Sequence, residues 1–351
     1  MRLIAVAATH RELRPTMGRA LWDRELMYRS MIRWGQGSVV PIDGRVRWRR
    51  AVGTLARGAS KTADRSLHWR SSAPRRWLRD VAQIERVVVP SHVGAAYGHI
   101  SYPIARGRPT LWSTAGVLDA RPGEWFPAQS VRTHERLMAM AAATQCWSEL
   151  GRRGLLERTD RVTSERLHVV PPLVYVDLPS PWERPDGDLV AIFIGAFGRL
   201  KGLPVLLDAM RGIGSGLRLE VITADAAPAE LPSSVDWLGA RPRQEVLSRL
   251  MSADIHVFPS RTESFGGVVV EALAAGTPQV VDASGVPAEI VGEAGVVVPG
   301  QDSAAIKDAL DRLAADADLR DRLRRASLTR YRERYAPEVV GAHLAAIIDG
   351  M

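Results

Sequence analysis

Two glutamates separated by seven residues, Glu263 and Glu271, stand in the stretch Pro259-Ser260-Arg261-Thr262-Glu263-Ser264-Phe265-Gly266-Gly267-Val268-Val269-Val270-Glu271-Ala272. The apolar run Ile255-His256-Val257-Phe258 precedes it and a helical pattern, Gly267 to Ala275, follows, so the segment joins a strand to a helix. At the carboxyl end of a parallel strand, such a loop faces the ligand crevice of a doubly wound sheet. Free N–H groups at a helix N-terminus, with Gly266 and Gly267 allowing close approach, favour an anionic or hydroxyl-rich ligand. Helical spacing puts the two carboxylates on roughly the same side, where each can accept from a pair of hydroxyls, as on a sugar or ribose. The competing reading makes Glu263 a carboxylate favoured by the helix dipole and Glu271 part of a solvated helix face.

A second constellation, Gly195-Ala196-Phe197-Gly198-Arg199-Leu200-Lys201-Gly202, also lies between an apolar strand and a helix. Two cations among three glycines can clamp a pyrophosphate, Arg199 as a fork and Lys201 as a point charge. Lys201 is one of only three lysines, with Lys61 and Lys307, in a chain that otherwise uses arginine, which points to a site that wants an ammonium. Against this stands a plain basic surface turn. Both constellations fall at strand ends of one expected sheet, so they can converge on one ligand carrying a pyrophosphate and several hydroxyls.

The elements that must position them alternate regularly. Strands are expected at Leu189–Gly195, Leu217–Thr223, Val235–Leu238, Ile255–Phe258 and Gln279–Val281, with helices at Leu203–Met210, Gln244–Ser252 and Gly267–Ala275. That β-then-α order argues a doubly wound parallel sheet. Three more helices are expected at Asp302–Ala314, Ala317–Tyr335 and Val339–Ile348. In the first half, strands are expected at Arg86–Pro90, Pro109–Ser113, Thr144–Trp147 and Leu167–Val170, and a helix at Val131–Ala142. Residues 15–80 are arginine-rich with weak periodicity. Pro171 to Gly187, with five prolines and no period, reads as a linker.

The chain has 351 residues and 46% hydrophobic and 25% charged content, which suits two globular domains and excludes a disordered or fibrous chain. No apolar stretch is long enough to span a bilayer, and the N-terminal apolar run is too short for a signal peptide. Cys146, the only cysteine, excludes an intramolecular disulfide and a cysteine zinc cluster, and no carboxylate–histidine cluster has metal spacing. A cytoplasmic protein, peripheral at the inner membrane face at most, is the expectation. Residues 1–185 carry 30 basic and 16 acidic side chains, a net of +14, and nine of the ten tryptophans; the remainder nets −6. The basic half should meet something anionic, a membrane surface above all, since no nucleic-acid reader motif accompanies the charge. Pairing of these arginines with acids of the second half is the alternative.

From residue 140 onward the sequence resembles the retaining glycosyltransferases of family 4, the group of bacterial mannosyl- and glucosyltransferases with the GT-B architecture. The resemblance rests on Pro-Ser…Glu-Ser-Phe-Gly-Gly…Glu-Ala-Leu-Ala-Ala-Gly-Thr-Pro, on Asp282-Ala283-Ser284-Gly285-Val286-Pro287-Ala288-Glu289, and on Gly295-Val296-Val297-Val298-Pro299. It extends to Trp147-Ser148-Glu149 and Val169-Val170-Pro171-Pro172. It implies that Lys201 binds the donor diphosphate, that Glu263 lies at the transferred sugar and that Glu271 holds the nucleotide ribose. Gly195 and the amides of Ser264, Phe265, Gly266 and Gly267 would line the same site. Three departures stand out. The arginine usual directly after the strand-end glycine is replaced by Ala196, with Arg199 three residues on; Ala7-Ala8-Thr9-His10 lacks the usual glycine loop; and Trp112-Ser113-Thr114-Ala115-Gly116 lacks the donor-facing histidine.

The resemblance implies an α/β fold of two Rossmann-like domains facing a cleft. The expected division is 1–183 for the acceptor side and 184–336 for the donor side, with a helix over 337–351 crossing back onto the first domain. The implied activity is metal-independent, retaining transfer of a hexose from a nucleoside diphosphate sugar to a hydroxyl acceptor, with no cofactor. A non-catalytic subunit of the same ancestry, binding a nucleotide sugar or docking on a membrane assembly, is the rival. Among lesser candidates, His92, His256 and Cys146 read as core residues, Arg261 as a salt-bridge partner of Glu263 more than a phosphate contact, and Glu289 equally as a recurrent acid of the resembled family or a helix-start acid.

Overall fold

A computed structural model describes residues 3–5, 86–89, 109–113, 135, 138–174, 176–183, 187–195, 201–261, 263, 265–299 and 302–351. The expectations for residues 15–80, His92, Arg199 and Ser264 lie outside the described residues, as does half of the expected helix over Val131–Ala142, of which 135 and 138–140 are helical. The chain divides into two compact units, Met1–Pro172 with Val340–Met351, and Leu173–Val339.

In the first unit, β1 (Leu3–Ala5), β2 (Arg86–Val89), β3 (Thr110–Ser113), β4 (Ala143–Cys146) and β5 (Leu167–Val169) form a parallel sheet in that spatial order. Helix α1 (Glu149–Arg158) follows β4; Ser148 caps it by accepting from the Gly151 amide at 3.0 Å. Sequence periodicity did not reveal α1, because only Gly151 and Leu155 are buried along it and two glycines weaken its propensity. Leu344, Ile347 and Met351, at the C-terminal end of the chain, pack against Leu111 and Ala143 of β3 and β4.

The second unit begins after Pro172, not at residue 184, because the proline-rich stretch is an extended strap bound to this unit. The Trp182 amide donates to the Ser248 carbonyl at 3.1 Å, and the Ser252 hydroxyl donates to the Trp182 carbonyl at 2.7 Å. The Arg249 guanidinium lies 4.1 Å from the Trp182 ring centroid. All three partners belong to one helix (Arg243–Ser252). Prolines removed the periodicity without making the segment free.

Six parallel strands build the second sheet: β6 (Leu189–Ile194), β7 (Leu217–Ile222), β8 (Val235–Trp237), β9 (Ile255–Phe258), β10 (Gln279–Asp282) and β11 (Gly295–Val298). Their spatial order is β11-β10-β9-β6-β7-β8. Helices α2 (Leu203–Arg211), α3 (Arg243–Ser252), α4 (Gly267–Ala275), α5 (Val286–Val291), α6 (Ser303–Ala315) and α7 (Ala317–Arg330) complete the unit, and α8 (Pro337–Gly350) leads away from it. β9 and β10 are buried at every position, as a parallel strand covered on both faces must be. Ile192, Ile222, Leu250, Ala253 and Ala272 form the core between the sheet and helices α3 and α4.

The strand order reverses between β6 and β9. Strands after β6 proceed to one side, and those after β9 to the other, so the carboxyl ends of β6 and β9 flank the switch point where doubly wound sheets bind ligands. The two motifs follow these two strands. The long helix expected over Ala317–Tyr335 instead ends at Arg330 and passes into a π-helical turn, Tyr331–Tyr335.

His256, within β9, is wholly buried, and its Nδ1 lies 3.0 Å from Oε1 of Gln279. Gln279 donates its own amide to the Val269 carbonyl at 3.1 Å, so Oε1 accepts from Nδ1–H. Its Nε2 has no hydrogen-bond partner among the described residues, so the core role expected for it is only half satisfied. Desolvation lowers the pKa from 6.5 to about 4, against the opposing effect of the Gln279 hydrogen bond. The folded chain therefore keeps a neutral imidazole where the unfolded chain takes up a proton. Stability should fall as pH drops from 6.5 to about 4, by about 3 kcal/mol from this group. Urea unfolding at stepped pH checks this: His256→Gln should flatten the slope in that window, and an unchanged slope would assign it to other groups.

Candidate functional site

Gly202 decides how the first motif meets the second. It adopts φ +80°, and a Cβ built there would lie 2.3 Å from the Pro259 carbonyl oxygen. Only glycine allows the chain leaving β6 to cross so close over the end of β9. That crossing sets Lys201 above the second motif: its ammonium is bonded to Oε1 of Glu263 and stands 6.0 Å from the Phe258 ring centroid. Its stem packs by Gly195, whose added Cβ would sit 3.5 Å from Lys201 Cγ. The pair is largely withdrawn from water, with side-chain exposures of 21% for Lys201 and 9% for Glu263. A solvated basic turn does not look like this.

Glu263 also accepts from the Ser260 hydroxyl at 3.2 Å. The expected Arg261–Glu263 salt bridge does not form: Arg261 is exposed, and Lys201 takes its place because the glycine crossing brings the β6 loop nearer.

Helix α4 begins at Gly267 with Gly266 as its N-cap, in the left-handed region at φ +89° and with no side-chain cap. Within the first turn the Val269 amide donates to the Gly266 carbonyl at 2.9 Å, while the amides of Gly267 and Val268 stand at the helix start, where an anion is favoured. Phe265, which is 1% exposed, fixes the loop beneath: its ring meets Tyr335 of the π turn at 6.3 Å between centroids, and the Tyr335 hydroxyl donates to the Ile290 carbonyl at 3.4 Å.

Glu271 lies just over one turn into α4 and is 4% exposed, so the solvated-face reading is excluded. Oε1 accepts from the Arg243 guanidinium at 2.7 Å. Burial pushes its pKa up, and the Arg243 charge and hydrogen bond pull it back. Arg243 was not visible as a site residue in the sequence. The available signal was a cation as the first residue of a helix, where the dipole disfavours it.

The structure thus brings together Lys201, Glu263, Phe265, Gly266 and Gly267 at the switch point, with Gly195 alongside and Glu271 deeper on α4. Cys146 is 1% exposed, and Glu289 lies in the first turn of α5, in line with the core and helix-start roles expected of them. Among the described residues, no group of three or more His, Cys, Asp or Glu could hold a metal ion. No helix among them is long and apolar enough to cross a membrane.

The chain thus holds two parallel α/β units, and in the second the two motif loops follow the strands that flank its switch point. Residues 177–330 match the family described as Glycosyl transferases group 1. Relatives include the D-inositol 3-phosphate glycosyltransferases of Corynebacterium urealyticum, 36% identical over 149 residues, and Corynebacterium jeikeium, 33% identical over 199 residues. These alignments cover 36% and 47% of this chain and 35% and 47% of the relatives, so the chain spans less than half the length of the curated proteins it matches. Among solved structures, sucrose-phosphate synthase from Thermosynechococcus elongatus aligns with a TM-score of 0.73 at 16% identity, over 100% of this chain and 99% of that one. Anabaena Alr3699/HepE in complex with UDP and glucose aligns with a TM-score of 0.72 at 16% identity, over the full length of both. The fold is GT-B.

Proposed function

We propose that the chain transfers a hexose from a nucleoside diphosphate sugar to a hydroxyl acceptor, retaining the anomeric configuration and using no metal. The observation that carries this is the meeting of Lys201 with Glu263 at the switch point, beside the uncapped start of α4. In this reading Lys201 trades Glu263 for the leaving diphosphate and stabilises the charge that develops there, with Arg199 assisting. A cation so placed does the charge-neutralising work that a metal would otherwise do. Glu263, released from the ammonium, accepts from hydroxyls of the transferred sugar and stabilises its oxocarbenium-like charge. The leaving diphosphate takes the acceptor proton. Glu271 holds the ribose, and the amides of Ser264, Phe265, Gly266 and Gly267 meet the sugar and phosphate. The neighbour bound to UDP and glucose supports such a donor.

A thermal-shift screen with UDP-, GDP- and ADP-sugars should find a stabilising donor. Turnover with that donor should persist in EDTA, and NMR of the product should show the donor's anomeric configuration. An inverted product, or activity lost to EDTA and restored by manganese, would overturn the reading. The relatives' name places a cyclic polyol phosphate in the acceptor panel, beside glycans and lipid-linked sugars.

The net +14 and nine tryptophans of residues 1–185 support a further part of the proposal, a cytoplasmic enzyme that touches an anionic membrane peripherally. Co-sedimentation with anionic but not neutral vesicles at low salt is expected. Protein remaining in the supernatant with both would leave cross-domain pairing as the account of these charges.

A further inference from the structure

Arg243 occupies a position that local preference opposes. It is the first residue of α3, behind Pro242, where a helix N-terminus repels a cation. The residue it reaches is on another helix: Glu271 of α4, whose Oε1 lies 2.7 Å from the guanidinium. We propose that Arg243 is a positioning residue of the donor site, holding the buried Glu271 carboxylate ionised and aimed so that its remaining lone pairs accept from the two ribose hydroxyls of the nucleotide. This rests on the reading of Glu271 as the ribose-binding residue.

The chemistry requires the charge. A carboxylate offers about four acceptor sites, of which Arg243 uses one, so enough remain for two donating hydroxyls. A protonated carboxyl carries a proton of its own on one oxygen and competes with the diol it should receive. Burial favours that neutral form, and Arg243 is the charge that opposes it. The other charged groups packed around α4 are engaged elsewhere. Arg330 donates to the carbonyls of Glu289 and Ile290, and the stem of Arg324 lies against Gly276 at the far end of α4. Glu245 of α3 pairs with Arg241 and Arg249. At 36% side-chain exposure Arg243 remains solvated on its outer side, so it brings charge to Glu271 without being buried itself.

Calorimetric titration of UDP, GDP and ADP into the full chain at pH 6, 7 and 8 tests this. Glu271→Gln should weaken the best-bound nucleotide by about tenfold. Arg243→Gln should weaken it too, and the ratio of its Kd to that of the wild type should rise as pH falls, because the unassisted carboxyl takes up a proton. That ratio cancels titration of the nucleotide's own phosphate. Adding Arg243→Gln to Glu271→Gln should cost no more than about twofold, and Arg243→Lys should restore most of the affinity. A ratio flat with pH, or effects that add in the double variant, would overturn the positioning role. Glu271→Gln binding every nucleotide as tightly as the wild type would instead overturn the ribose reading beneath it. The ratio is read within one variant across pH, so a fixed loss of folded protein does not imitate the expected result.

Discussion

Replacing Lys201 by alanine is expected to weaken nucleotide-sugar binding by roughly ten- to a hundred-fold, the value of a lost charge-assisted contact of about 1.5–3 kcal/mol. The same change leaves Glu263, with 9% side-chain exposure, facing the proposed diphosphate with the Ser260 hydroxyl as its one remaining partner among the described residues. An uncompensated carboxylate near the incoming phosphates adds repulsion to the lost attraction, so the effect should lie toward the upper end of that range. Lys201→Ala with Glu263→Gln should recover part of the loss by removing the repulsion. Unchanged donor affinity in calorimetry would place the diphosphate elsewhere.

Gly202→Ala should be the most damaging single methyl in the second unit. Its φ of +80° costs a side chain strain, and the added carbon would lie 2.3 Å from a backbone oxygen that cannot swing away. Together these amount to about 2–4 kcal/mol, or roughly 5–15 °C in melting temperature. If the chain avoids the clash by lifting the loop, Lys201 leaves Glu263 and donor binding falls with stability. Gly214→Ala is the control: nothing lies within 4 Å of its Cβ position, and it should melt like the wild type. Equal melting temperatures for the two variants would mean that the β6 loop does not cross the end of β9 as described.

Much of the second unit was legible because parallel strands leave short, wholly apolar runs that period alone can find. Leu189–Ile194, Ile255–Phe258 and Gly267–Ala275 lie where the apolar pattern placed them. Elements with thin burial were not legible: α1 hides among glycines and arginines, and α5 is a six-residue helix opened by Val286-Pro287. The strap over 173–183 looked like a free linker because hydrogen bonds to Ser248 and Ser252 leave no mark on hydrophobic periodicity. At the site, residue types and strand-end positions singled out Lys201, Glu263 and Glu271 as candidates, and the structure pairs the first two. Their partners were not visible in the sequence. Lys201 and Glu263 are 62 residues apart, and Arg243 and Glu271 are 28 apart, so only the sheet order brings them together. The Arg261–Glu263 expectation failed for the same reason, since nearness in sequence was the only guide available.

The central claim is that a nucleoside diphosphate sugar binds at the carboxyl ends of β6 and β9. Amide chemical-shift mapping on the isotope-labelled chain, titrated with the nucleotide sugar that stabilises it best, tests this most directly. The largest shifts are expected at Gly195, Lys201, Gly202, Phe265, Gly266 and Gly267, the residues that line those two strand ends. Shifts confined to other strand ends, or none at these amides at saturating ligand, would contradict it.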